Sequence, residues 1–444
     1  MFWYFLRLIF YPYTRVFFRR AQGKNLHHLR VKNPVLIAIN HPSAFMDPIA
    51  LSTVLGHPRT FYMARGDAFK KGIVSTILTA TGIIPIFRMR DGGIEGVKKN
   101  NESFSIAYRL WNKNQKIMVF AEGLCIQERR LRPIQKGTAR MAFGFMEEYK
   151  RDDFLIVPVS LNYSHPAGFN GDLYCEVGDP IAIKEYLPLY RENSAKAVNE
   201  LTRTLEAKMK ALLPHLEHKE NDLIIEQLQE IYKHQYLSEN KLDQSNLDNH
   251  HQYWHTVANR LNDITNESPE KADHLRKLTN DYTKLLKENK ILDVNIYNRS
   301  IGITGSASLW FMLILGFPIY AIGKLLNLVP YLSAQAIAKK TAKNIEFFTS
   351  VNYATSAFIS LFYLVAELII LWNVLPPIPI GIWWVFLAYT VFKILIGMTA
   401  IKYSRFMKAA LGCIHTGSLE KKNPTLFNKL LSQRKEILSN LTGK

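Results

Sequence analysis

The sequence predicts an α/β fold, a largely parallel sheet with flanking helices, followed by a polar helical insert and C-terminal transmembrane helices. Three observations carry this. Between residues 34 and 178, strand-like apolar runs recur, with helical stretches between the first four; this alternation builds parallel sheets covered by helices. Residues 216–299 turn polar, with scattered Leu and Ile at helical spacing. Residues 300–323 then carry no charge and 347–392 only Glu367, runs of a length that argues for a bilayer.

The elements follow in order. Residues 1–30 open as MFWYFLRLIFYPYTRVFFRR, aromatic and interrupted by Arg7. They lack the long apolar core and cleavage site of a signal peptide and are too short in apolar residues to span. Rings interleaved with Arg predict an interfacial, membrane-associated helix; a helix packed on the domain's own core is the alternative. Residues 31–215 read as the α/β domain, with strands expected at 34–40, 83–87, 116–122, 153–163 and 172–178. A helix is expected over Gly137–Tyr149, and Val198, Leu201, Leu205, Met209 and Leu212 mark an amphipathic helix closing the domain.

Residues 216–299 predict an elongated helical insert. His251 and His255 would share a helix face there, a spacing metals use, but without a Glu-x-x-His or Cys partner a solvated face is the plainer expectation, and no metal site is assigned. Residues 300–401 form the membrane region. A turn at Leu375-Pro376-Pro377-Ile378-Pro379 predicts a hairpin of two spans, and Gly316 with Pro318 predicts that the first run is re-entrant or interfacial. Residues 402–444 are a basic tail. The cation-rich segments 324–348 and 402–444 belong on the cytoplasmic side, together with the catalytic domain. Glu367 and Lys393 are expected to pair across the hairpin, or Lys393 to snorkel.

Composition narrows the partners. The 444 residues hold 56 Lys+Arg against 37 Asp+Glu, a net charge of +19, which calls for nucleic acid, anionic lipid or a phosphate-bearing substrate. Of that +19, 17 charges lie in residues 1–32, 324–348 and 402–444, so the excess addresses an anionic phospholipid bilayer. The aromatic-plus-basic motifs of nucleic-acid binders are absent, and no nucleic-acid partner is expected. Three separated cysteines exclude a disulfide framework and a Cys-based zinc module.

The chemistry concentrates at Asn40-His41-Pro42-Ser43-Ala44-Phe45-Met46-Asp47-Pro48, directly after the first expected strand. A His at the C-terminal end of a parallel strand faces the crevice where such sheets bind ligands. Asp47-Pro48 reads either as N-cap and first helical residue or as the partner that orients His41 for general-base work. No nucleophile elbow is evident, which favours direct transfer over a covalent intermediate.

Three more segments follow in order: Gly82–Arg88 with Arg90 beside it; Phe120-Ala121-Glu122-Gly123 leading to Leu131–Gly137; and Val157-Pro158-Val159-Ser160. Together with the first, they resemble the four blocks of the glycerolipid acyltransferase superfamily over roughly residues 1–213, with five residues between His and Asp where four are usual. The resemblance implies the acyltransferase fold, His41 as catalytic base with Asp47 its partner, and Arg88 gripping the acceptor's phosphate. It further implies Glu122 and Gly123 at the acceptor site, and Pro158 near the acyl donor or shaping the site; Glu122 pairing with an Arg as scaffold is the alternative. The third block lacks its usual arginine, which leaves Arg88, Arg90 and Lys136, with Arg129 or Arg130 as further candidates, to neutralise phosphate. Arg129, Arg130 and Arg132 are expected singly to be a solvated loop. The implied activity is membrane-bound O-acyl transfer in phospholipid biosynthesis, from acyl-CoA or acyl-carrier protein, with no cofactor. The first acceptor choice is 1-acylglycerol 3-phosphate and the second glycerol 3-phosphate. A catalytically inactive membrane or nucleic-acid-binding protein is the reading from a different class.

Overall fold

The computed structural model describes residues 2–55, 60–69, 72–87, 93, 98–165, 169–302, 307–375 and 381–443. The chain divides into two compact units, Met1–His215 with Lys343–Ser350, and Leu216–Ala342 with Val351–Lys444.

In the first unit a mixed, mostly parallel sheet runs β1 (Arg20–Lys24), β7 (Asp172–Val177), β6 (Leu155–Tyr163), β2 (Val35–Ile39), β5 (Lys116–Phe120), β3 (Thr60–Arg65), β4 (Ile83–Ile86), with β8 (Ile181–Ala182) also on β6. Only the pairings of β7 and β8 with β6 are antiparallel. Central β2 reads VLIAI and is wholly buried, the continuous apolar run that a strand covered on both faces needs. Helices α1 (Phe2–Phe17), α2 (Met46–Leu55), α3 (Ile73–Ala80), α4 (Asn100–Asn112), α5 (Gly137–Tyr149), α6 (Leu187–Glu192) and α7 (Ser194–Ala211) complete the unit. Trp111 of α4 is fully buried and donates its indole N–H to the Val35 carbonyl at 3.0 Å, fixing α4 on the central strand.

The N-terminal helix stops at Phe17 rather than running to residue 30. Arg19 and Arg20 both hold the Asp172 carboxylate, and residues 20–24 become an edge strand on β7. Burial alone would lift Asp172, but the two guanidinium groups outweigh it and hold the carboxyl well below its ordinary value. RAQGK has no apolar alternation, so periodicity does not reveal this strand.

The second unit is helical. The insert forms α8 (Ile225–Glu239), α9 (Leu247–Glu267), α10 (Pro269–Glu288) and α11 (Asp293–Ser300). His250 and His251 lie in its interior rather than on a solvated face, and His250 Nε2 meets the Gln244 carbonyl at 2.8 Å. Among the described residues, three helices are long and apolar enough to cross a membrane: α12 (Ala307–Thr341), α13 (Ile345–Val374, whose first residues belong to the first unit) and α14 (Ile382–Lys422). They mark a membrane protein. The expected break at Gly316 and Pro318 is absent, since α12 is one continuous helix through Pro318 and Pro330. Near that proline the Tyr403 hydroxyl donates to the Leu313 carbonyl, and Gly316 and Gly323 let α14 approach closely. Glu367 of α13 pairs with Lys393 of α14, whose ammonium also lies 4.6 Å from the Tyr363 ring centre.

The basic tail is ordered structure. It continues α14 and then forms α15 (Pro424–Thr442), pinned by Arg434. That buried guanidinium donates Nε to Asp293 at 3.0 Å, Nη1 to Gln235 at 2.9 Å and Nη2 to the Ile231 carbonyl at 2.8 Å. Tyr282 donates to the same Asp293 at 2.7 Å. Burial lifts Asp293 to about 6, while Arg434 and Tyr282 pull against that.

Candidate active site

β2 delivers the site. At its end Asn40 accepts the Leu161 N–H at 2.8 Å and donates to the Leu161 carbonyl at 3.0 Å, locking the strand end to β6. His41 follows. Its ring stacks on Phe120, centres 3.5 Å apart and planes within 15°, its carbonyl accepts Ile126 N–H at 3.1 Å, and its N–H points to Glu122 Oε1 at 3.3 Å.

His41 Nδ1 lies 2.8 Å from Asp47 Oδ2. Oδ2 also accepts the Ser43 N–H at 2.9 Å, and Oδ1 accepts the Tyr163 hydroxyl at 2.7 Å. An ionised carboxylate can only accept, so Nδ1 carries a proton, and in the neutral imidazole the lone pair then falls on Nε2. Among the described residues Nε2 has no hydrogen-bond partner, and the side chain remains 15% exposed. The five-residue gap closes because Ala44 takes a positive φ of 26° and Asp47 already sits in the first turn of α2. Asp47 is therefore not a helix cap. Its carboxylate turns back to Ser43 and His41 instead of capping α2.

Three further groups tune the loop. Burial, and then the charge of Asp47, push the Tyr163 hydroxyl well above its ordinary value, so it stays a donor. Glu122 is buried and accepts backbone N–H groups from His41 and from Arg132, the latter at 3.0 Å; among the described residues no arginine side chain bonds to it. Burial raises it to about 7 against those two bonds. Cys125 accepts the Ala44 N–H at 3.0 Å and is pushed up to about 12, mainly by burial and then by Asp47, which makes it a poor thiolate nucleophile.

Of the other expected residues, Gly123 has φ of +66° in the turn after β5, and a Cβ there would stand 3.1 Å from Gln135 Cγ. Lys136 is exposed at the start of α5. Pro158 sits inside β6 opposite Ala38, three residues before the level of His41. Its carbonyl accepts Gly178 N–H at 2.9 Å, in the break between β7 and β8, so the ladder bond a proline cannot make falls where the pairing is interrupted. Arg88 and Arg90 lie outside the described residues; Phe87, immediately before them, is held by Asn100 at 2.8 and 2.7 Å. The 129–132 loop is not simply solvated, because Arg130 and Arg132 share Glu128 and Arg129 donates to the Ser164 carbonyl. The structure thus gathers His41, Asp47 and Glu122. Sequence reasoning missed Tyr163, the Phe120 stack and Cys125; only the strand-end position of Phe120 and Tyr163 hinted at them.

The acyltransferase family model matches residues 20–162. Glycerol-3-phosphate O-acyltransferase 1 of Saccharomyces cerevisiae is 31% identical over 126 residues, which is 28% of this chain and 17% of that protein. The chain thus matches about one sixth of that relative's length. Among solved structures, the 1-acyl-sn-glycerophosphate (LPA) acyltransferase PlsC of Thermotoga maritima aligns over 46% of this chain and 79% of its own, at 17% identity and a TM-score of 0.34. The family-model match thus spans residues 20–162, the segment that holds the four ordered blocks, and its description is acyltransferase.

Proposed function

We propose that this chain is a membrane-bound O-acyltransferase that moves a fatty acyl group from an acyl thioester to a hydroxyl of a glycerol phosphate. The observation that carries the reading is the His41–Asp47 pair, with Nδ1 tied down and Nε2 without a hydrogen-bond partner among the described residues. Nε2 takes the proton from the acceptor hydroxyl as its oxygen attacks the thioester carbonyl. Asp47 stabilises the imidazolium, and the tetrahedral intermediate collapses, with the thiolate leaving and taking the proton back from Nε2. General-base help of this kind supplies about 10²–10⁴-fold.

Glycerol 3-phosphate is the preferred acceptor, since the curated relative is named for it and the five-residue spacing looks like that of fungal-type enzymes. 1-Acylglycerol 3-phosphate, the first choice on the blocks alone, is the second reading. Arg88, Arg90 and Lys136 are the proposed phosphate ligands, Glu122 and Gly123 shape the acceptor side, and Pro158 shapes the sheet beneath. Acyl-CoA or acyl-carrier protein serves as donor without a further cofactor, and the domain faces the cytoplasm beside an anionic bilayer.

The test is the full chain in detergent with each donor crossed with each acceptor, the product identified by mass. Product from glycerol 3-phosphate is expected; product from neither acceptor with folded protein removes the reading. His41→Ala should reduce turnover by at least 10²-fold with membrane insertion unchanged, and retained turnover removes His41 as base.

A further inference from the structure

The loop between His41 and Asp47 has backbone groups that a buried segment must satisfy. Ser43 N–H goes to Asp47 and Ala44 N–H to Cys125 Sγ. Met46 opens α2, so its N–H has no partner within the helix. The partner comes from 304 residues away: Ser350 Oγ, fully buried, accepts Met46 N–H at 3.1 Å. The same hydroxyl donates to the Ser43 carbonyl at 3.1 Å. One side chain therefore closes both a donor and an acceptor of the loop, on the residue next to Asp47 and on the residue whose N–H holds Asp47. Ser350 lies in Lys343–Ser350, the short stretch of α13 that belongs to the first unit.

We propose that Ser350 is a positioning residue for acyl transfer, holding Asp47 in register with His41 by capping α2 from the start of a membrane-length helix. The inference rests on the proposed function for its kinetic consequence, but its geometric content does not. Removing the hydroxyl leaves Met46 N–H buried without its partner and Ser43 C=O with the Asp47 N–H alone, at 3.2 Å, and the loop relaxes to find another acceptor. Phosphate binding is untouched, so the loss falls on turnover. A displacement of about 1 Å at such a site costs about 10²-fold.

The experiment uses the full chain in detergent, comparing wild type with Ser350→Ala, Ser350→Thr and Ser350→Cys. Two readouts are taken: steady-state kinetics with glycerol 3-phosphate, and peptide-resolved hydrogen exchange over residues 41–50 against peptides of β5 and β6. Ser350→Ala should lower kcat about ten- to a hundredfold with acceptor KM within about twofold, and speed exchange in 41–50 alone. Ser350→Thr should restore both, and Ser350→Cys, which keeps volume and a weak donor, should fall between. Unchanged kcat and exchange in a folded Ser350→Ala overturn the proposal. Uniformly faster exchange throughout the unit, or kcat loss that Thr does not rescue, overturns it too. Should Ser350→Ala not fold, wild-type values in Ser350→Cys do the same. Wild-type protein that transfers nothing, yet shows the local exchange change, loses the function and keeps the loop assignment.

Discussion

Two buried carboxylates, one in each unit, have nearly the same surroundings and opposite uses. Asp47 and Asp293 each accept a tyrosine hydroxyl at 2.7 Å and each bind a nitrogen base. Beside Asp293 the base is Arg434, permanently charged, with its guanidinium donors taken by Asp293, Gln235 and Ile231. Beside Asp47 it is an imidazole with one nitrogen tied and the other without a hydrogen-bond partner among the described residues. The first arrangement is closed and can only hold α15 and α11 together. The second leaves Nε2 without a hydrogen-bond partner among the described residues, and on the proposed function that nitrogen is the base.

The comparison breaks if the two carboxylates respond alike to Asn. Asp47→Asn should lower turnover per folded molecule by about 10⁴-fold, because the amide can donate to Nδ1 and drive the proton onto Nε2, and should cost about 1–3 kcal/mol in melting because its NH2 then faces the buried Ser43 N–H. Asp293→Asn should act on stability alone. It strands a buried guanidinium, costs about 3–5 kcal/mol by denaturant melting, and leaves turnover per folded molecule unchanged. A matched pair of tyrosine variants sharpens the point with smaller effects. Tyr163→Phe and Tyr282→Phe each delete a hydrogen bond to a charged group, about 1.5–3 kcal/mol, yet only Tyr163→Phe should reduce kcat, by about tenfold.

Glu122 gives the smallest effect, read as a direction. Its folded value of about 7 exceeds the ordinary 4.5, so the folded state binds the proton more tightly. Its contribution is present below about pH 4.5 and is lost as pH rises toward about 7. Melting temperature measured across that window should fall less steeply with pH in Glu122→Gln than in wild type; an equal or steeper slope would show that Glu122 ionises normally.

The sequence made His41 and Asp47 legible because both lie on one contiguous strand–loop–helix segment, where order along the chain is order in space. The long apolar strands and helices were legible for the same reason. Tyr163 and Ser350 were not, since they reach Asp47 and its loop across 116 and 304 or more residues and carry no periodicity that betrays it. The cap alternative for Asp47 stayed open in the sequence because Asp-Pro is compatible with a helix start, whereas the Tyr163 donor reaches it only once β2 and β6 are paired. Likewise the His250–His255 face looked solvated because polar residues surround it in sequence, but His250 and His251 face the interior of the helical unit. Gly316 and Pro318 suggested a break that close packing against Tyr403 makes unnecessary.

The Ser350 contact also sets a clock. At about 5–20 residues per second, a ribosome finishing Asp47 reaches Ser350 about 15–60 s later. Through that interval the sheet strands up to β8 can pair while the loop beside His41 lacks the hydroxyl that closes it. Nascent chains released before Ser350 should therefore hold an assembled sheet and an open catalytic loop, so completion of the base is timed by synthesis of the helix that carries it.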